Sequence, residues 1–421
     1  METLVLDRNV RLYPGYAALF SAYFWMPVFF LYFSARFTLE EVLRLEAIYY
    51  AAVVLLEVPS GYFSDVHGRK RTLLISAVSL AAAYALFIFG QGFAAFALAQ
   101  AALAAGIAFN SGTDTSFHFD SLAALGREGE YEARESIAAR NSFWAGGLAA
   151  LLGGAAGALD MRLAYALSLL GALGLVGLVA AMTEPTVHQR KQALGANFLL
   201  QMRGCLGCLR SPFLLWLFLF SVLMVVLNHI PYEFYQPYLR FLAPNWELFQ
   251  TSTPLVAGAH MAASMLVGSW FAARSTRWRR KAGLGIALLS AVVLQVLVIG
   301  AMGLLLHPLV AVFILLRSTP RDLMTAPLNA AVMPRIPQAR RATYLSMQSL
   351  AGRLAFSGFL LFFSWAAGSG APSDWPSVSL LLRIGSAAAL LGLIGLAVTM
   401  RRALRDGAPI RPPVDTPGGA S

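Results

Sequence analysis

Apolar stretches long enough to cross a bilayer follow one another along the chain, separated by short polar turns. They lie near residues 14–35, 43–62, 72–90, 93–124, 136–157, 162–183, 212–238, 252–273, 283–304, 308–329, 343–366 and 379–400. A helix crosses the hydrocarbon core in about 20 residues, so the pattern predicts an all-α polytopic membrane protein of about 12 transmembrane helices. An even number of crossings places both chain ends on one side. Residues 184–209 are polar enough to break the series in the middle. The predicted organisation is therefore a six-helix bundle over 1–183, an interdomain linker over 184–209, a second six-helix bundle over 210–400 and a polar tail over 401–421. From Asp406 to Ser421 the tail is rich in Pro and Gly and has no apolar periodicity, so it is expected to be disordered. The first apolar run is long and has no small-residue cleavage pattern, so no cleaved signal peptide is expected.

Composition agrees: 58% of the residues are hydrophobic and 13% are charged, with a mean hydropathy of +0.64. The net charge of +11 does not point to nucleic acid, because the basic residues fall in alternate turns rather than on one soluble face. Arg8 and Arg11, Arg69 to Arg71, Arg127 and Arg134, Arg190 and Lys191, Arg274 to Lys281, Arg335 to Arg341, and Arg401 to Arg405 share one side. Opposite them stand little more than Arg36, Arg162 and Arg240. The positive side is expected to be cytoplasmic, which puts both termini in the cytoplasm and the chain in the inner membrane. Cys205 and Cys208 form a lone C-x-x-C without two further ligands nearby. Neither a metal nor a cofactor is expected.

The turn between the second and third stretches is the most informative. Gly61 to Leu73 places two glycines, Asp65 and the basic run Arg69, Lys70, Arg71 between two long apolar segments. The glycines Gly61 and Gly68 allow a tight reversal there, and Asp65 can accept hydrogen bonds from a neighbouring helix end. Gly268 to Lys281 echoes this turn in the second half, with Ala272 where Asp65 would stand. Any latch built on the acid is thus asymmetric.

The complete pattern G-x-x-x-D-x-x-G-R-K/R over Gly61–Lys70 resembles the signature loop of the major facilitator superfamily. The resemblance extends over about residues 10–400, through Leu56 to Gly61, Ser111 to Asp114, Phe119 to Leu122, Gln236-Pro237 and Arg341 to Ser346, and is to its multidrug and small-solute permeases. It implies two six-helix halves rocking about a central cavity lined by the first, fourth, seventh and tenth helices, and an acid at the inner end of the fourth helix joining the loop, here Asp120. Proton-coupled exporters of the superfamily usually carry a Gly-Pro motif in the fifth helix. Gly146, Gly147, Gly153 and Gly154 stand there without the proline.

Ionisable groups within spans are functional candidates by default. Asn110, Asp114, His118 and Ser121 recur at helical spacing in the fourth span and share a face expected to be wet. Either Asp114 or Asp120 pairs with Arg69 or Arg140 in an inner gate, or Asp114 carries a proton. Glu57, one turn before Gly61, is expected to anchor the loop. His229, Glu233 and Gln236 form a second stripe on the seventh span, with Glu233 the preferred coupling carboxylate and capping near outer water its competing role. Arg317 lies near mid-membrane and requires a partner, either Glu233 or an anionic substrate. Arg321 and Asp322 are assigned to the inner gate with Asn329. Tyr16, Phe20, Tyr23, Pro27 and Phe30 fall on one stripe suited to an apolar solute, with lipid contact the alternative for any single ring.

The expected protein is a secondary active transporter, monomeric, working by alternating access, with a small-molecule substrate and protons as partners. Proton-coupled efflux of a small amphipathic compound is the preferred mode, and uptake of a small, possibly anionic solute or metallophore the second. A membrane-embedded enzyme or receptor is the reading from another class. Against it, the chain has no Walker A sequence, no H-E-x-x-H pair and no G-x-S-x-G elbow.

Overall fold

The computed structural model describes residues 2–185, 206–246, 253–336 and 341–405. Most of the proposed linker, Cys205 and the tail beyond Arg405 lie outside the described residues. Sixteen α-helices and short 3-10 turns make up the regular structure of the described residues: α1 (Glu2–Phe20), α2 (Phe29–Ser34), α3 (Leu39–His67), α4 (Arg69–Phe89), α5 (Gly92–Asn110), α6 (Thr113–Ala123), α7 (Tyr131–Leu159), α8 (Met161–Ala181), α9 (Pro212–Leu242), α10 (Thr253–Ala272), α11 (Ser275–Ala282), α12 (Leu284–Leu304), α13 (Pro308–Phe313), α14 (Thr319–Val332), α15 (Arg341–Ala367) and α16 (Trp375–Arg405).

Nine of the segments are long and apolar enough to cross a membrane. Three more passes fall short of that measure for physical reasons. The α1–α2 pass is interrupted over residues 21–28, α3 carries Glu46 and Glu57, and the α13–α14 pass is interrupted by a 3-10 turn over Ile314–Ser318. Counted together, the described residues make twelve passes, and both described ends lie on one side, the terminal side. Within the first half α4 packs on α5 and α8, α3 on α5, and α1 on α7; within the second, α12 packs on α16 and α14, and α9 on α15 and α16.

Three expected spans are not continuous helices. The predicted run 14–35 is α1, a turn containing Pro27, and α2. The run 93–124 is α5 and α6, joined at Ser111–Gly112 with Gly112 at φ +72°. The run 308–329 breaks where a 3-10 turn tightens the helix. Interrupted backbone at membrane depth persists only where other protein groups satisfy it. Here Ser168 of α8 accepts from Trp25 N at 3.1 Å, Tyr84 of α4 accepts from Trp25 Nε1 at 3.1 Å, and Gln236 of α9 accepts from Phe30 N at 3.1 Å.

The halves meet along two long seams, with α2 on α9 between them. On α7–α10, glycines let the backbones touch, since a Cβ on Gly154 would meet the Pro254 carbonyl oxygen at 2.6 Å and Gly258 Cα at 3.0 Å. On α3–α15, Ser357 donates to Ala47 O at 3.1 Å and Ser364 to Glu40 O at 3.2 Å. Every hydrogen bond that crosses between the halves among the described residues lies from mid-membrane toward the far side. The hydrogen bonds between the halves thus close the far side, and toward the terminal side Glu57 of α3 faces Arg353 of α15 at 3.9 Å across the same seam.

Candidate functional site

The signature turn is built differently from the expectation of two turning glycines. Gly61 lies inside α3, which runs on to His67, and only Gly68, at φ +101°, makes the reversal. Arg69 gathers the acids of this corner: its Nη1 donates to Asp65 Oδ1 at 2.6 Å and Ser64 Oγ at 2.9 Å, and its Nε reaches Asp120 Oδ2 at 3.4 Å. Asp114 is not part of the cluster. It accepts from Asn110 Nδ2 at 3.1 Å and Thr115 N at 2.7 Å, bracing the break between α5 and α6.

Glu184 was not singled out by sequence and completes the corner. Its carboxylate accepts from Arg69 N and Lys70 N, each at 2.7 Å, capping α4 where the helix dipole favours negative charge. A Cβ on Gly68 would strike that carboxylate at 2.9 Å. Lys70 Nζ donates to Ala180 O at 3.1 Å, and the buried Asn9 exchanges hydrogen bonds with Thr183 N and O at 2.9 and 2.7 Å. None of these groups comes from the second half. A latch of Asp65 and Arg69 lies within one half, so parting the halves does not by itself change their separation.

Nearby, Arg127 reaches Asp7 at 2.8 Å and Glu130 at 2.7 Å, and Arg11 reaches Asp7 at 2.8 Å. Asp7 precedes the first apolar run. The Arg127 guanidinium beside it, with Arg11 behind, holds its carboxyl below the usual range.

The fourth-span stripe is not wet. Asn110, His118 and Ser121 are buried against α1. Tyr16 donates to Asn110 Oδ1 at 2.5 Å, Asn9 donates to Ser121 Oγ at 3.2 Å, and Tyr13 stacks on His118 at 3.9 Å. His118 also pairs through Nδ1 with Glu135 Oε2 at 2.8 Å, a partner on α7 that local spacing does not reveal. Tyr23 sits half-buried in the interrupted first pass, edge-on to Phe20 and Trp25.

Glu57 does not anchor the loop. Its Oε2 faces Arg353 of the other half at 3.9 Å. Glu233 is 1% exposed, so it does not cap in outer water. Tyr50 of α3 donates to its Oε1 at 3.4 Å, and its Oε2 is buried without a partner. On the same face of α3, Glu46 is also buried and accepts from Gln100 Nε2 at 2.9 Å. Its place inside an apolar run was the available signal. His229 hydrogen-bonds Val225 O at 2.6 Å and packs edge-on to Tyr50. Gln236 serves the seam: besides accepting from Phe30 N, it donates to Met26 O at 2.9 Å.

Arg317 does not pair with Glu233. Its Nη1 donates to His260 Nδ1 at 2.7 Å and its guanidinium lies 4.1 Å from the centre of the Tyr235 ring. Arg321 is exposed and reaches Asp322 at 3.4 Å. Asn329, half-buried on α14, bonds neither. Asp322 instead packs on Gly268, where a Cβ would collide with its carboxylate. His118, His229 and His260 have separate partners, and no cluster of three His, Cys, Asp or Glu suited to a metal occurs among the described residues. A cavity of about 480 Å³ opens on the far side between Leu31, Arg240, Pro244 and Pro254, away from these polar groups.

Among the described residues, twelve passes in two facing sets make up an all-helical, multi-pass membrane fold. Comparison with solved structures agrees. A crystal structure of the nucleoside transporter NupG superposes with a TM-score of 0.75 at 13% identity, covering 94% of this chain and 99% of that one. The peptide transporter POT in complex with sulfate gives 0.68 at 15%, covering 95% of each chain. A bacterial homolog of the human lysosomal transporter Spinster, inward-facing and occupied, gives 0.66 at 14%, covering 96% and 97%. No protein-family model matches the chain. No curated protein matches it by sequence.

Proposed function

We propose that the protein is a proton-coupled secondary transporter that exports a small amphipathic solute by alternating access. It acts as a monomer in the inner membrane, with the terminal side cytoplasmic. The observation that carries this reading is Glu233, an acid sealed at the seam, with a tyrosine of the opposite half on one oxygen and no partner on the other. An ionised carboxylate buried within a span is costly, and no Lys or Arg pairs with Glu233 among the described residues. A proton on Glu233 removes that cost and lets the far side close; loss of the proton favours parting of α3 from α9. Aromatic pairs spanning the halves, Phe29 with Tyr232 and Phe30 with Phe234, suit an apolar solute body.

The test is Glu233→Gln in proteoliposomes. Gradient-driven accumulation is expected to vanish while solute exchange at equal pH persists. Undiminished pH-driven transport rules Glu233 out. A second reading, uptake of a small anionic solute, is favoured by Arg317, which has no acidic partner among the described residues.

A further inference from the structure

Arg317 is 5% exposed, at the 3-10 break of the tenth pass, and the described residues hold no carboxylate within ion-pair distance of it. A buried arginine without a counter-charge is costly, yet this one is held in place on three sides. His260 Nε2 donates to Ala311 O at 2.8 Å, which leaves Nδ1 as an acceptor for Arg317 Nη1. His260 is therefore neutral in this arrangement and does not add a second positive charge. Tyr235 stacks beneath both groups. Gln295 Nε2 donates to the Arg317 carbonyl at 3.1 Å and to Asn228 Oδ1 at 2.7 Å, bracing the break from α12.

Two hydroxyls in this part of the structure are buried without hydrogen-bond partners: Tyr235 Oη, on the ring the guanidinium stacks against, and Thr319 Oγ1, two positions along the chain from Arg317. Orphaned buried polar atoms are uncommon and costly. One fixed cation, a neutral histidine and hydroxyl donors among aromatic rings match a single negative charge on an apolar body. A phosphate dianion would call for a second cation.

We propose that Arg317, oriented by His260 and Tyr235, is the recognition group for an organic monoanion, a carboxylate carried on an apolar or aromatic frame. This names the substrate class and rests on the transporter reading.

The experiment measures binding to purified full-length protein in detergent by thermal unfolding and equilibrium dialysis. The probes are benzoate and 2-naphthoate, their neutral amides, and inorganic phosphate. The carboxylates are expected to raise the unfolding temperature of the wild type, and the amides and phosphate to leave it unchanged. Arg317→Gln is expected to weaken carboxylate binding ~10-fold or more, the scale of a lost charged hydrogen bond, with ligand-free stability equal or higher because an unbalanced cation is gone. Arg317→Lys, which keeps the charge and loses the fork, is expected to bind with intermediate strength. Amides binding as well as carboxylates, phosphate outcompeting them, no carboxylate binding to the wild type, or undiminished carboxylate binding by Arg317→Gln would each overturn the assignment. A fall in the ligand-free stability of Arg317→Gln with no carboxylate selectivity in the wild type assigns Arg317 a structural role. Should the variant not be recoverable, the carboxylate-versus-amide comparison on the wild type decides. Carboxylates that bind but are not carried across proteoliposomes would defeat the transport reading and leave this site standing.

Discussion

Single side chains at the signature turn divide into those that hold a charge and those that hold a shape. Arg69 spans Asp65, Ser64 and Asp120, so Asp65→Ala leaves it one acid. Such a variant is expected to insert normally and turn over more slowly, as read by solute flux against membrane abundance; wild-type flux would show that Asp120 suffices alone. Gly68→Ala meets both a positive φ and the Glu184 carboxylate, and Glu184→Gln weakens a charged cap worth about 1 kcal/mol. Both should lower the unfolding temperature, the first by more. Asp7 gives a pH signature: its carboxyl is depressed in the folded state by Arg127. Its stabilising contribution is present above its ordinary unfolded value and lost as pH falls through the folded one. Thermal unfolding between neutral and strongly acidic pH should show a steeper decline for the wild type than for Asp7→Asn. The acids and bases of this corner were legible because charge in a short turn between apolar runs is conspicuous. Glu184 was not, since its partners lie 114 and 115 residues away in sequence and nothing local distinguishes it.

Elements tell a similar story about what a linear pattern carries. Hydrophobic runs located the twelve passes well, because burial in lipid demands apolar residues wherever the chain crosses. They did not reveal the breaks at residues 21–28, Ser111–Gly112 and Ile314–Ser318. Apolarity is indifferent to whether a helix continues, and the groups that satisfy each break come from other passes. The polar stripe along α5 and α6 was read as wet for the same reason: spacing shows that residues share a face, and only packing shows that α1 covers most of it. The glycines of α7 permit close helix approach, and the approach is to α10. Gly154→Val should therefore force α7 from α10 at the Pro254 carbonyl. Proteolysis or cysteine labelling from the far side is expected to rise, with a loss of stability of about 1–3 kcal/mol from overpacking.

At the scale of the whole molecule, the hydrogen bonds that join the halves among the described residues gather from mid-membrane to the far side. The α3–α15 seam brings Ser357 to Ala47, so Ala47→Cys with Ser357→Cys, in a background lacking Cys205 and Cys208, should cross-link on mild oxidation. Flux is expected to stop when the bond forms and return on reduction. Continued flux in the cross-linked protein would mean that this seam does not part.

Gln236 gives that motion a local meter. The start of α2 has no side-chain cap of its own, and its Phe30 amide proton is taken up by a glutamine from the opposite half. The helix thus borrows its terminus from a neighbour that must periodically withdraw. Each parting of the far side strips that proton of its shelter, so deuterium uptake at one amide counts the excursions of the entire assembly.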